Sequence, residues 1–254
     1  MTVAGKVVLV TAGAGGSGLG IAREFAAAGA RVTVSDIDEQ ALARAADLGL
    51  AVVAADGARE ADVERLFRHI EKQHGNVEVL VNNVGIAGPT AAVEEVTLAD
   101  WERTMGANLT AHFLCIRRAV PAMKRAAAGI IINISSGSAR TGLPLRVPYV
   151  VSKAAVLSLT TTLARELGPA GIRINAILPG AIRGERIERI IADKARALGI
   201  SPAEYEKSLL RYVSLRSMVD PQDIAAMCLF LASPAGARIT GQCIGVDGNI
   251  EWEE

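Results

Sequence analysis

Lys6-Val-Val-Leu-Val-Thr11, then Ala12-Gly-Ala-Gly-Gly-Ser-Gly-Leu-Gly20, and after an Ala-rich run to Gly29 the segment Arg31-Val-Thr-Val-Ser-Asp36 decide the fold. Lys6–Thr11 is apolar on both faces, the mark of a strand buried from two sides. Gly13, Gly15 and Gly18 satisfy G-x-G-x-x-G, and Gly18-Leu19-Gly20 opens a helix predicted over 18–29. Arg31–Asp36 reads as a second strand. The glycines allow a tight turn and close approach to a pyrophosphate, which the helix N-terminus would meet with free N–H groups. A glycine turn with no ligand is the competing reading, and the strand–loop–helix context favours the nucleotide. No Lys-Ser/Thr pair follows the loop, which disfavours a P-loop NTPase.

Asp36 ends the second strand 16 residues after Gly20. A dinucleotide-binding fold places an acid there, on the adenosine ribose. A 2′-phosphate beside it would meet like charge, about 4 kcal/mol at most for ~4 Å and an effective dielectric of ~20. Ser17, Ser35 and Ile37 supply no compensating base. The expected cofactor is therefore NAD(H) in preference to NADP(H), with a helix cap or a solvated acid as the alternative role for Asp36.

Outward from this unit the alternation repeats. Residues 50–55, 77–82, 129–134, 172–177 and 243–246 read as strands. Residues 38–48, 60–74, 98–127, 149–168 and 221–232 read as helices, the long one expected to break or kink at Pro121. The prediction is one α/β domain over residues 1–254, a Rossmann-type, doubly wound, seven-stranded parallel sheet with helices on both faces. Residues 181–213 interrupt the rhythm and are expected to form a substrate lid at the carboxyl end of the sixth strand.

Composition excludes other classes. Half of the 254 residues are hydrophobic and 21% are charged, enough for a sizeable core and against disorder. Lys+Arg and Asp+Glu are both 27, so there is no basic excess for nucleic acid and little charge to oppose self-association. The start lacks a secretion pattern, and no apolar run reaches the ~18 residues of a membrane span. Cys115, Cys228 and Cys243 lie far apart, which predicts reduced thiols in a cytoplasmic protein. With only His69, His74 and His112 beside them, no metal site is expected.

Tyr149-Val-Val-Ser-Lys153 places a phenol and an ammonium on one helix face, 13 residues after Ser136. With this pair the chain resembles the short-chain dehydrogenase/reductase family over essentially its whole length. The likeness includes Asn82-Asn-Val-Gly85, Asn108, Ile134-Ser-Ser136, Asn175-Ala-Ile-Leu-Pro-Gly180, Ile239-Thr-Gly-Gln242 and Val246-Asp-Gly248. Each motif is modest, and the ordered set is specific.

The resemblance implies a catalytic tetrad of Asn108, Ser136, Tyr149 and Lys153. Tyr149 would be the acid/base, and bringing a tyrosine from ~10 to ~7 takes about 4 kcal/mol. Lys153 and the oxidised nicotinamide would supply it, Ser136 would bond the substrate oxygen, and Asn108 would fix a helix distortion and a water leading from Lys153. Lys153 would also hold the nicotinamide ribose. Around the cofactor the resemblance and position place the loop residues Gly13, Gly15, Ser17, Gly18, Leu19 and Gly20, with Asp36 and Ile37. Asp56 and Gly57 would meet adenine, and Asn82, Val84 and Gly85 the adenosine ribose side. Pro179, Gly180 and Ile182 would border the nicotinamide. Capping and turn roles are the alternatives for Asp56 and Asn82.

The chain departs from the family pattern Thr-Gly-x-x-x-Gly-x-Gly at Ala12, and the stretch from Thr11 to Gly18 reads as two residues longer, so a differently shaped turn is expected. Gly184 stands where the family often has Thr, and Glu251-Trp-Glu-Glu254 extends the end toward a neighbouring subunit or a frayed terminus. Ser138, Arg140, Leu143, Arg146 and the lid residues Arg183 and Arg186 are candidates near the substrate, and arginines suit an anionic one. The interleaved Glu185, Glu188 and Asp193 read equally as a solvated helix. His112, one turn from Asn108, reads as a packing histidine.

The expected function is NAD-dependent oxidation or reduction at CH–OH groups of a sugar, polyol or hydroxy acid, a small-molecule substrate with no nucleic acid and no membrane involved. The alternatives are a 3-oxoacyl carrier-protein reductase and a non-catalytic nucleotide-binding member of the fold. The family likeness implies a homotetramer, or a dimer, through the 98–127 and 149–168 helices and the last strand.

Overall fold

Neighbouring side chains along each strand point to opposite faces, and in this chain both faces are apolar. A computed structural model describes residues 3–250, apart from the side chains of Glu185, Arg186 and Ala197. Seven strands, β1 (Val7–Thr11), β2 (Arg31–Asp36), β3 (Ala51–Ala54), β4 (Val79–Asn82), β5 (Gly129–Ile134), β6 (Ile172–Pro179) and β7 (Cys243–Val246), form one sheet in the order β3-β2-β1-β4-β5-β6-β7. Every pairing is parallel. The helices are α1 (Gly16–Ala27), α2 (Glu39–Asp47), α3 (Glu60–His74), α4 (Leu98–Met105), α5 (Ala111–Ala126), α6 (Ser138–Thr141), α7 (Val147–Leu167), α8 (Glu185–Leu198), α9 (Pro202–Leu210) and α10 (Pro221–Ala232).

Val8, Val10, Val32, Val34, Val79 and Val81 enter a core shared with α1, α2 and α10. Val7, Leu9, Leu80, Ile131 and Ile174 enter a second core under α3, α5 and α7. Phe25 and Phe67, one in each core, are fully buried, and each such side chain contributes about 1.5–3 kcal/mol over exposure. Because the strands are parallel, their carboxyl ends share one edge. The strand order reverses between β1 and β4, which opens a crevice at that edge.

Three expectations change. The 98–127 helix is not continuous, because a π-helical turn at Gly106–Thr110 separates α4 from α5. Pro121 does not break α5, which runs through it to Ala126. Pro121 lies on the exposed face, where water can satisfy the carbonyl that loses its N–H partner. The expectation that no stretch matches a membrane span also fails by length and composition alone, since Val147–Ala170 meets both. In the structure the α7 part of that stretch packs along β6 and buries Ser152, Lys153 and Thr160 on the way.

Residues 181–213 form a helical excursion, α8 and α9 packed on each other. A capping box between Ser201 and Glu204 starts α9, and another between Asp220 and Asp223, with Pro221 at the first turn, starts α10. Bridges between Ile182 and Val219 and between Val213 and Ile250 tie the base of the excursion to the body. The Arg186 side chain and the Glu251–Glu254 tail lie outside the described residues.

Candidate active site

The glycine loop is built by close packing. Helix α1 begins at Gly16, two residues before the predicted start, with Gly15 as its N-cap. The expected lengthening of the loop is absent: Gly16 and Gly18 stand five and seven residues after Thr11, the family spacing, so Gly16 rather than Gly15 is the middle glycine of that pattern. Ala12, in the position of the first glycine, takes the left-handed φ of 48°. A side chain on Gly13 would meet the Val10 carbonyl at 2.7 Å and Val34 at 2.8 Å. One on Gly18 would meet the Ala12 carbonyl at 2.2 Å and Asn83 Nδ2 at 2.6 Å, and one on Gly20 would meet Pro221 at 3.2 Å. Gly15 and Gly16 face open space and leave the helix N-terminus accessible. The loop thus keeps a concave, donor-bearing surface of the kind a pyrophosphate fits. Gly18→Ala is expected to cost about 1–3 kcal/mol of stability, because the atoms it meets include rigid backbone; urea unfolding measures it.

Asn83 holds this loop. Its Nδ2 donates to the Ala12 carbonyl at 2.9 Å, and its Oδ1 accepts from Ser17 Oγ at 3.2 Å. Thr11 Oγ1 accepts from the Asn83 N–H at 3.0 Å. Asn82, the neighbour expected at the cofactor, turns away from it. Asn82 is fully buried and donates to Asn133 Oδ1 at 2.9 Å, and Asn133 Nδ2 donates to Thr160 at 3.0 Å. Strand alternation sends Asn82 into the same interior face as Leu80, opposite Asn133 in register.

Asp36 lies at the end of β2 against the loop. Its Oδ2 accepts from the Ala14 N–H at 3.3 Å, and its Oδ1 from Ile37 and Asp38 at 2.8 and 3.2 Å. Ile37 beside it is 74% exposed, an apolar surface at the crevice rim. Asp56 accepts from the Ala58 N–H at 2.9 Å while its own N–H donates to Asp62, so its turn role is filled. Gly57 approaches Ala111, where a side chain would come within 3.1 Å. Val84 and Gly85 follow β4, and Leu19 packs in the first turns of α1. Pro179 ends β6, while Gly180 donates to the Val246 carbonyl and packs on Asp247. Gly184, with φ of 147°, caps α8 in a conformation that Thr avoids.

Tyr149 and Lys153 sit one turn apart on α7. Lys153 is 4% exposed, and its ammonium donates to the Ile134 carbonyl at 2.9 Å. Its carbonyl accepts from Ser135 Oγ at 2.8 Å, joining α7 to the end of β5. Ser136 Oγ lies 3.0 Å from Ser138 Oγ and accepts from the Ser138 N–H at 3.3 Å. Asn108, in the π turn, is fully buried. Its Oδ1 accepts from the Ile86 N–H at 2.7 Å, and its Nδ2 donates to the Ile86 carbonyl at 3.0 Å and to Ser152 Oγ at 2.9 Å. Ser152 donates to the Tyr149 carbonyl at 2.7 Å. The tetrad residues thus share connected strand ends, with Ser135 and Ser152 as links that the sequence reading did not single out. Burial pushes His112 down to about 3, with the nearby Lys153 charge acting the same way.

Three of the candidate substrate arginines have partners. Arg140 donates to the Cys243 carbonyl, and Arg183 pairs with Asp220 at 3.3 Å. Arg146 donates to the Ala87 carbonyl at 2.8 Å and to Thr90 at 3.3 Å, and its guanidinium lies 5.4 Å from the Tyr149 ring centroid. Leu143 is partly exposed on the same loop. A cavity of about 800 Å³ opens nearby, lined by Gly137, Arg140, Leu215, Met218, Asp247 and Ile250 among others. None of the four tetrad residues lines it. Among the described residues, no group of three His, Cys, Asp or Glu side chains could hold a metal ion.

The family model described as Enoyl-(Acyl carrier protein) reductase matches residues 12–249. The chain belongs to the short-chain dehydrogenase/reductase family of oxidoreductases. It is 36% identical over 253 residues to human dehydrogenase/reductase SDR family member 4, covering 97% of this chain and 87% of that one. It is 35% identical over 252 residues to galactitol 2-dehydrogenase of Agrobacterium fabrum, covering 98% of each. The crystal structure of NAD+-bound xylitol dehydrogenase superimposes with a TM-score of 0.89 at 28% identity, over 97% of this chain and 99% of that one.

Proposed function

We infer that the protein is an NAD(H)-dependent oxidoreductase that interconverts a secondary alcohol and its ketone, with a neutral polyol or sugar as the favoured substrate. The observation that carries this reading is the meeting at one sheet edge of an open glycine loop, Asp36 at the second strand end, and the Ser136, Tyr149 and Lys153 set. Gly15 and Gly16 would receive the pyrophosphate, Asp36 and Ile37 the adenosine, Val84 and Gly85 its ribose side, and Pro179, Gly180 and Ile182 the nicotinamide. When bound, the nicotinamide supplies the acceptor or donor of hydride. Tyr149 Oη takes the alcohol proton in oxidation and returns it in reduction. Ser136 Oγ bonds the substrate oxygen, which aligns the carbon–hydrogen bond. Lys153, one turn from Tyr149 on α7 and anchored on the Ile134 carbonyl, would hold the nicotinamide ribose. Asn108 holds the π turn against Ile86 and would help to orient a water leading from Lys153.

The likeness to galactitol 2-dehydrogenase and xylitol dehydrogenase supports the polyol class. The main-chain carbonyl partners of Arg140 and Arg146 weigh against an anionic substrate. A 3-oxoacyl carrier-protein reductase is the second reading, supported by the likeness to the 3-ketoacyl-(acyl-carrier-protein) reductase of Brucella melitensis complexed with NADH, so the substrate panel and not the cofactor separates the two. The α8–α9 excursion would act as the lid. The outer faces of α5 and α7 and the β7 edge would form a tetramer, for which light scattering is the check. The three free thiols fit the reducing cytoplasm that we propose as the setting.

Cofactor choice tests the reading of Asp36. NADH is expected to bind more tightly than NADPH by nucleotide fluorescence, and Asp36→Ala to narrow the ratio at least about tenfold, or 1.4 kcal/mol. An unchanged ratio in that variant would remove Asp36 as the selector.

A further inference from the structure

We propose that His112 is a positioning residue that, together with Asn108, clamps Val84, Gly85 and Ile86, just past the end of β4, in the form that accommodates the Lys153 ammonium. His112 is fully buried, and its Nε2 lies 3.1 Å from the Val84 carbonyl oxygen. A carbonyl only accepts, so the contact places the ring proton on Nε2. One turn earlier Asn108 grips both the N–H and the carbonyl of Ile86. Two side chains from one helical segment therefore hold Val84 and Ile86, and Gly85 lies between them.

Gly85 is where Lys153 comes close. A side chain there would stand 3.0 Å from the ammonium nitrogen and 3.6 Å from Asn108 Oδ1. Moving the 84–86 main chain would change both the room for the ammonium and the surface offered to the cofactor. The π turn at Gly106–Thr110 sets the spacing, since it holds Asn108 and leads directly into the first residues of α5. His112 Nδ1 is buried without a hydrogen-bond partner. A proton added there would have no acceptor and would share the neighbourhood with the Lys153 charge, so a neutral ring suits the site.

The inference rests on the reading of Lys153 given above, and its test separates the two. His112→Leu removes the donor. His112→Gln restores an N–H donor the same number of bonds from Cβ. In folded protein, His112→Leu is expected to lower kcat at least tenfold and weaken NADH binding severalfold. His112→Gln is expected to return both to within about threefold of wild type. Equal impairment of the two variants, or none in either, overturns the clamp. Nitrogen NMR of the His112 ring in the wild type gives a second readout should the Leu variant not fold. A neutral ring with its proton on Nε2 at pH 7 supports the clamp, and an Nδ1-protonated or charged ring overturns it. Lys153→Met provides the control: wild-type turnover there sinks the reading of Lys153 and leaves the ring measurement standing.

Discussion

Tyr149→Phe is expected to reduce turnover about 10²–10⁴-fold, the range set by loss of a positioned general acid/base. The change removes one oxygen and keeps the ring. Arg146 can still lie over its face at 5.4 Å, and α7 keeps its packing on β6. NADH affinity and the thermal unfolding midpoint should therefore stay near wild type. Initial rates with a responsive polyol and fluorescence titration with NADH measure the two arms. Full activity in this variant would reassign the acid/base.

Lys153→Met is expected to cost at least about 10² in kcat, at the low end of the range for acid/base chemistry, and to weaken NADH binding as well. The thioether fills similar space and no longer requires a buried ammonium to be stripped of water. Removing a charge at 4% exposure spares that desolvation cost, which offsets the lost bond to the Ile134 carbonyl. The fold should survive, with an unfolding midpoint equal to or above that of wild type. A variant that lost activity only through unfolding would show a lowered midpoint and no NADH binding.

Much of this arrangement was legible in the chain. Two-faced apolar strands alternating with helices gave the parallel sheet, and the spacing of Tyr149 and Lys153 gave their shared face on α7. Less legible were the features that depend on contacts between distant segments. The alternation of β4 was enough to turn Asn82 inward, but its partner Asn133 became evident only through the β4–β5 register. Asn83 and Ser152 carried no local signal beyond standing inside recognised motifs, and their roles arise from Ala12 and Asn108. Pro121 invited a kink by local rule, while the actual irregularity lies at Gly106–Thr110. The partners of the candidate substrate arginines were also not legible in the chain: Arg140 and Arg146 meet main-chain carbonyls and Arg183 meets Asp220, all contacts between distant segments.

Everything proposed for the site turns on hydride transfer between a nicotinamide and a secondary alcohol beside Tyr149. Its most direct test is the rise in absorbance at the reduced-nicotinamide band when purified protein is mixed with NAD+ and a panel of polyols, sugars and hydroxy acids. The expected result is reduction of NAD+ by at least one neutral polyol or sugar, faster than with NADP+, and lost in Tyr149→Phe. No reduction with any member of the panel, in protein that binds NADH, or a rate unchanged in Tyr149→Phe, would contradict it.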